Sequence, residues 1–196
     1  MNNSRHATVL IVPGLRDHVA DHWQTHLERK LSSVRKVVSV PPLEADKLSC
    51  AARVAAVQRT IEAIEEPLIV VAHSAGVVML VHWAQAHAHA HAHARNIQGA
   101  LLAAPPDFEV PLPAGYPTQD ALQANGWLPV PRQVLPFRST VAASTNDPLA
   151  AFDRVKQMAS EWGSELVKVG AVGHINPASG FGAWPLAEQF IQSLEF

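Results

Sequence analysis

Cysteine is almost missing from this chain: Cys50 is the only one. An internal disulfide is therefore impossible, and nothing marks an oxidising compartment, so a cytoplasmic location is expected. A lone thiol of this kind is more often packed inertly than used as a nucleophile. Long hydrophobic runs are missing too; none is long enough to cross a bilayer, so no membrane association is expected. Residues 1–15 join an arginine to a short apolar stretch that closes on Pro13-Gly14, which fits a first strand better than a signal peptide. Nor does charge of one sign prevail. With a formal net charge of −2 at pH 7 the sequence carries no nucleic-acid footprint. What remains is 196 residues of ordinary hydrophobic content, enough for one domain, 1–196, with a sizeable core.

Short apolar runs alternate with stretches of helical periodicity. Strands are predicted at 7–12, 36–40, 67–72, 97–103, 138–143 and 165–169. Helices are predicted at 18–31, 47–64, from 75 to about 90, at 149–162 and at 185–194. This alternation predicts an α/β fold: a three-layer sandwich with a mainly parallel sheet of about six strands, covered on both faces. Sites in such sheets lie beyond the carboxyl ends of the strands.

Two segments break the alternation. Residues 108–137 are rich in proline and lack periodicity, and a loop of that length is usually functional or disordered. A partly ordered flap beside the site is expected, with a short helix near 119–124; the plainer reading is a surface excursion where larger relatives carry a lid. In the second segment, 86–94, His87, His89, His91 and His93 alternate with alanine. Histidines at i, i+4 on a helix can chelate a metal. No carboxylate or cysteine accompanies them, so a solvated, low-complexity helix end with opportunistic nickel or zinc binding is the expected reading, and no metal site is assigned.

The most informative string is Leu68-Ile69-Val70-Val71-Ala72-His73-Ser74-Ala75-Gly76. An apolar strand runs into a hydroxyl flanked by small residues, and a helical pattern follows. That is the layout of a nucleophile elbow, G-x-S-x-G, with Ala72 in place of the first glycine. Ser74 on so tight a turn stands clear of the sheet, and the helix behind it offers free N–H groups to a developing anion.

A serine hydroxyl needs a base, and the base needs an orienting acid. On hydrolase sheets of this kind the chain order is Ser, Asp or Glu, His. Of the eleven histidines, only His82, the alternating run and His174 follow Ser74. His82 and the run belong to the elbow helix or its end, which leaves His174, on a glycine-led loop expected to be flexible. The candidate acids are Asp107, Glu109, Asp120, Asp147, Asp153, Glu161 and Glu165. Asp147 stands at the tip of the strand before the histidine strand and is preferred. It is also placed to cap a helix opening at Pro148, whereas Asp153 should be solvated. The oxyanion hole is assigned to the backbone N–H groups of Leu15 and Ala75, with Arg16 as second choice to Leu15. The Arg16 side chain is expected in a surface ion pair, the alternative being contact with an acidic substrate. His73 is expected to pack or hydrogen-bond behind the elbow.

These residues resemble a known family. The chain is similar to the small bacterial serine hydrolases grouped with retinoblastoma-binding protein 9, within the α/β-hydrolase superfamily. The resemblance runs nearly end to end. Its marks are Pro13-Gly14, His22-Trp23-Gln24, His73-Ser74-Ala75-Gly76, Ala104-Pro105-Pro106-Asp107, Asn146-Asp147-Pro148, Gly173-His174-Ile175-Asn176 and Gly180-Phe181-Gly182-Ala183-Trp184-Pro185. The resemblance implies a compact hydrolase without a large lid domain, with nucleophile, acid and base at Ser74, Asp147 and His174. It also implies esterase or related acyl-hydrolase activity. Trp23 and Trp184 are expected in the core.

The function expected is hydrolysis of small esters, of short acyl chain, through an acyl-enzyme and without a cofactor. Three other readings stay open: a hydrolase-fold interaction module with a protein partner and little activity; amidase, thioesterase or peptidase action on the same residues; and a metal carrier built on the histidine run.

Overall fold

All of β1 (Thr8–Val12), β3 (Leu68–His73) and β5 (Ser139–Ser144) is buried on both faces, as inner strands of a doubly covered sheet must be. The computed structural model describes residues 6–87 and 97–195. With β2 (Val37–Ser39), β4 (Ile97–Ala103) and β6 (Glu165–Gly170) these strands form one six-stranded sheet in the order β2-β1-β3-β4-β5-β6. Every neighbouring pair is parallel. The α/β sandwich expected from the alternation is the fold observed.

Alternate strand residues serve opposite layers. Val9, Ile11, Ile69, Val71 and Leu101 pack with α1 (Trp23–Leu31) and α6 (Leu186–Leu194). Leu10, Val12, Val70, Ala72 and Leu102 pack with α2 (Cys50–Glu62), α3 (Ala75–His87) and α5 (Phe152–Glu161). Helix α3 is apolar nearly all round because it lies between the sheet and α2. Its one buried polar side-chain group on that side, the Trp83 indole N–H, donates to Gln58 Oε1 at 2.6 Å. The chain leaves β1 for β2 at the edge and returns to β3 on the other side of β1. The carboxyl ends of β1 and β3 therefore flank a switch point, where a ligand crevice opens.

Helix starts differ from the expected ones because side chains cap them later. The α1 helix opens at Trp23 rather than 18, since the His22 ring Nδ1 accepts the Gln24 N–H at 3.2 Å. The preceding loop is held by the Thr25 hydroxyl, which donates to the Val19 carbonyl at 2.7 Å. Helix α2 opens at Cys50 rather than 47, behind the Ser49 hydroxyl. The α3 helix is described to His87; the expected extension to 90, and His89, His91 and His93, lie outside the described residues.

The proline-rich stretch 108–137 is no loose flap. Phe108, Leu122, Trp127, Val130 and Leu135 are buried against α2 and α3, around the short helix α4 (Gln119–Ala124). The Trp127 indole donates to the Leu48 carbonyl at 2.6 Å. Arg132 and Arg154 bind Glu109 and Glu161, tying the stretch to α5. Among the described residues, no helix is long and apolar enough to cross a membrane.

Candidate active site

Ser74 follows β3 with φ at +56°, a left-handed value that costs a non-glycine residue energy and is held only by its surroundings. Two glycines make room for the turn. A Cβ on Gly76 would meet the Val12 carbonyl oxygen at 2.3 Å, so nothing larger lets α3 approach β1 this closely. A Cβ on Gly14 would stand 3.3 Å from that of Ser74. The Ser74 N–H is taken by the Ala103 carbonyl, fixing the elbow to β4.

The structure brings together the three side chains singled out in the sequence. Ser74 Oγ lies 2.8 Å from His174 Nε2, and His174 Nδ1 lies 2.8 Å from Asp147 Oδ2. A carboxylate can only accept, so the Nδ1–H donates to Asp147 and Nε2 is left to accept from the serine hydroxyl. The imidazole and the carboxylate are 4% and 2% exposed. Asp147 does not cap a helix, as α5 opens later, behind Ala151. Its second oxygen instead accepts the Leu149 N–H at 2.8 Å, a local turn that fixes the carboxylate. Among the other candidate acids, Asp107, Glu109 and Glu161 are engaged by Arg132 or Arg154, and Asp153 is exposed.

The loop carrying His174 is clamped rather than flexible. Asn146 Oδ1 accepts the Gly173 N–H at 2.7 Å, and the Ser144 hydroxyl accepts the Val172 N–H at 3.2 Å. The Ser179 hydroxyl accepts the His174 N–H at 3.0 Å. From behind the elbow, His73 Nε2–H donates to the His174 carbonyl at 2.9 Å. Burial pushes the His73 imidazole well below its usual value, and the neighbouring His174 and His22 push it further, so it donates as a neutral ring. His22 is lowered to about 4, first by burial and then by His174. These rings lie in a row, each tilted to the next, with centroids 4.6 Å apart from His22 to His73 and 5.0 Å from His73 to His174. Trp23 closes the row edge-on and meets Trp184 at 4.8 Å, so both tryptophans pack inside as expected.

Opposite the elbow, the Gly14 carbonyl accepts the Asp17 N–H at 3.0 Å. In a trans peptide the N–H lies opposite the carbonyl, so the Leu15 N–H is turned away from that bond. Among the described residues no protein acceptor engages the N–H of Leu15 or of Ala75, and both residues line the cavity. Arg53, which sequence reasoning missed, holds this loop: its buried guanidinium binds the Asp17 carboxylate and donates to the Leu15 carbonyl at 3.3 Å. Gln24, from the string His22-Trp23-Gln24, also serves the crevice. Its amide donates to the carbonyls of Val12 and Val71, satisfying the ends of the two strands that flank the crevice. Among the described residues Arg16 makes no ion pair. Its guanidinium lies over the Tyr116 ring, 5.7 Å from the centroid.

The cavity holds about 340 Å³, bordered by Leu15, Leu48, Phe108, Leu112 and Tyr116, with Ser74 and His174 at its base. Cys50 lies elsewhere; burial raises its thiol to about 11, which makes it inert. Among the described residues no group of three His, Cys, Asp or Glu is placed to hold a metal ion.

A sequence model for a family described as serine hydrolase matches residues 9–193. Among solved structures, one described as a YdeN-like hydrolase from Pectobacterium atrosepticum is 29% identical, with 97% of this chain and 94% of that chain covered and a TM-score of 0.73. The ydeN gene product of B. subtilis is 18% identical over 96% of this chain and 98% of that one, with a TM-score of 0.68. A thermophilic esterase from Thermogutta terrifontis is 12% identical over 98% and 92%, with a TM-score of 0.63. These last two likenesses are likenesses of fold. No curated protein sequence matches significantly.

Proposed function

Because the chain belongs to this serine hydrolase family, we propose that Ser74, His174 and Asp147 form its catalytic triad and that its substrates are small carboxylic esters. The observation that carries this reading is the unbroken hydrogen-bond chain from Ser74 Oγ through His174 to Asp147, at 2.8 Å for each link. His174 Nε2 takes the hydroxyl proton as Ser74 attacks the ester carbonyl. The oxyanion accepts from the N–H groups of Leu15 and Ala75. His174 then returns the proton to the departing alcohol, and the acyl group stays on Ser74. A water, deprotonated by the same nitrogen, attacks the acyl-enzyme; the proton returns to Ser74 and the acid leaves. Asp147 holds the imidazole in the right tautomer and stabilises its charged form. No cofactor enters these steps.

A cavity near 340 Å³ stands at the small end of ligand sites, which favours short acyl groups. Within the family, the motif strings that the chain shares with the group of retinoblastoma-binding protein 9 support a kinship with that group. A fluorophosphonate probe tests the reading: it labels the wild-type chain at Ser74 and leaves Ser74→Ala unlabelled. Absence of labelling in the wild-type chain would refute it.

A further inference from the structure

We propose that the mouth of this cavity is a subsite for an anion, formed by Arg16 and Lys47, and that the preferred esters carry a carboxylate remote from the reacting carbonyl. The inference rests on the serine-hydrolase reading above and deepens it.

Arg16, Asp17 and Lys47 are the lining residues that carry a permanent charge. Asp17 is already neutralised, since its carboxylate is bound by Arg53, a side chain only 5% exposed. Arg16 and Lys47 are exposed and have no anionic partner among the described residues. His22 and His73 are kept neutral at pH 7 and add no charge. The cavity mouth thus presents two uncompensated cations.

The frame beneath them is built. Arg53 donates to the Leu15 carbonyl on one side of Arg16, binds Asp17 on the other, and donates from Nε to the Lys47 carbonyl at 2.8 Å. One buried guanidinium therefore fixes the backbone that carries both cations and the backbone that offers the Leu15 N–H. The Arg16 guanidinium lies over the Tyr116 ring, which narrows its range, and among the described residues no hydrogen-bond acceptor engages its N–H groups. A carboxylate suits that edge as a bidentate partner and Lys47 as a point charge. Leu48, Phe108 and Leu112 give the carbon body of such an acid an apolar wall.

The test compares esters that differ in one charge. On the acyl side these are the 4-nitrophenyl half-ester of glutaric acid and 4-nitrophenyl pentanoate. On the alcohol side they are 4-acetoxybenzoate and 4-acetoxybenzamide. In at least one pair the anionic member is favoured in kcat/KM by about ten-fold, the scale expected of two partly solvated charge contacts. The preference lies mainly in KM and shrinks as salt is added. In the R16Q/K47Q double variant the ratio within that pair drops to about one; a ratio on one variant cancels any general loss of fold or turnover. A ratio of one or less in both pairs, or a ratio the double variant leaves unchanged, overturns the subsite. If neither ester of any pair is cleaved and the fluorophosphonate leaves Ser74 unlabelled, the hydrolase reading itself fails, and the subsite with it.

Discussion

Replacing Ser74 by alanine removes an oxygen whose one hydrogen bond is to His174 Nε2. The fold should survive, and turnover should drop about a million-fold, as in other triads stripped of the nucleophile. A variant that keeps a few per cent of wild-type esterase activity would show that Ser74 is not the nucleophile. Asp147→Asn preserves the acceptor for the Leu149 N–H but offers His174 an amide, so turnover should fall about ten-thousand-fold through the wrong tautomer. Asp153→Asn, on the exposed face of α5, is the control and should cost little; equal losses in both would sink the assignment. The histidine row makes a different prediction. His22, His73 and His82 all have lowered values in the fold, with burial the first cause in each. Each binds its proton more readily once unfolded, so the stability they contribute is complete above pH 6.5 and is lost as pH falls below it, for His22 down to about 4. Thermal melts should be level in this respect above pH 7 and decline below 6.5. His22→Asn keeps a side-chain acceptor for the Gln24 N–H and removes one titrating ring, so its acid decline should be shallower by about 1.4 kcal/mol per pH unit within that window. An unchanged slope would show that His22 is not kept neutral by the fold.

Elements were legible where apolar period alone decides their type. The buried strands carry mostly apolar runs, such as residues 9–12 and 68–72, and β4 falls where its pattern ends at Ala103. Helix starts were less legible, because a ring nitrogen at His22 and a hydroxyl at Ser49 settle them through contacts that no periodicity encodes. The proposed triad positions stood out because chain order and strand tips reduce the choice to a few residues, and the structure brings those three side chains together. What holds them did not: Asn146, Ser144 and Ser179 clamp the histidine loop by side-chain hydrogen bonds, most of them across elements distant in sequence. Arg53 looks from its sequence like one more helix residue, yet it secures the loop after β1 from the buried face of α2. Close packing of the elbow is open to test at one atom. Gly76→Ala places a methyl 2.3 Å from a backbone oxygen of β1, so α3 must shift. A loss of about 1–3 kcal/mol or more is expected in denaturant melts, together with impaired labelling at Ser74. A variant as stable and as reactive as wild type would show that the contact is not tight.

Across the whole molecule, the proline-rich stretch 108–137 was visible as an interruption but not as a wall. Its buried Phe108, Leu122 and Trp127 become part of the core only when α2 and α3 are beneath them, and such pairings across the chain leave no local pattern. The fold class survived that gap because β–α alternation prescribes a covered parallel sheet whatever the insertions do. The same sheet order has a consequence for synthesis. The proposed nucleophile, Ser74, sits at the end of an inner strand, while the proposed base, His174, follows β6, 100 residues later. At ribosomal rates of about 5–20 residues per second, the serine waits roughly 5–20 s, outside the tunnel and without a proton acceptor, until the outermost strand is added. On the proposed assignment, reactivity is withheld until His174 has been added, and acylation of Ser74 reports that β6 is in place at the edge of the sheet.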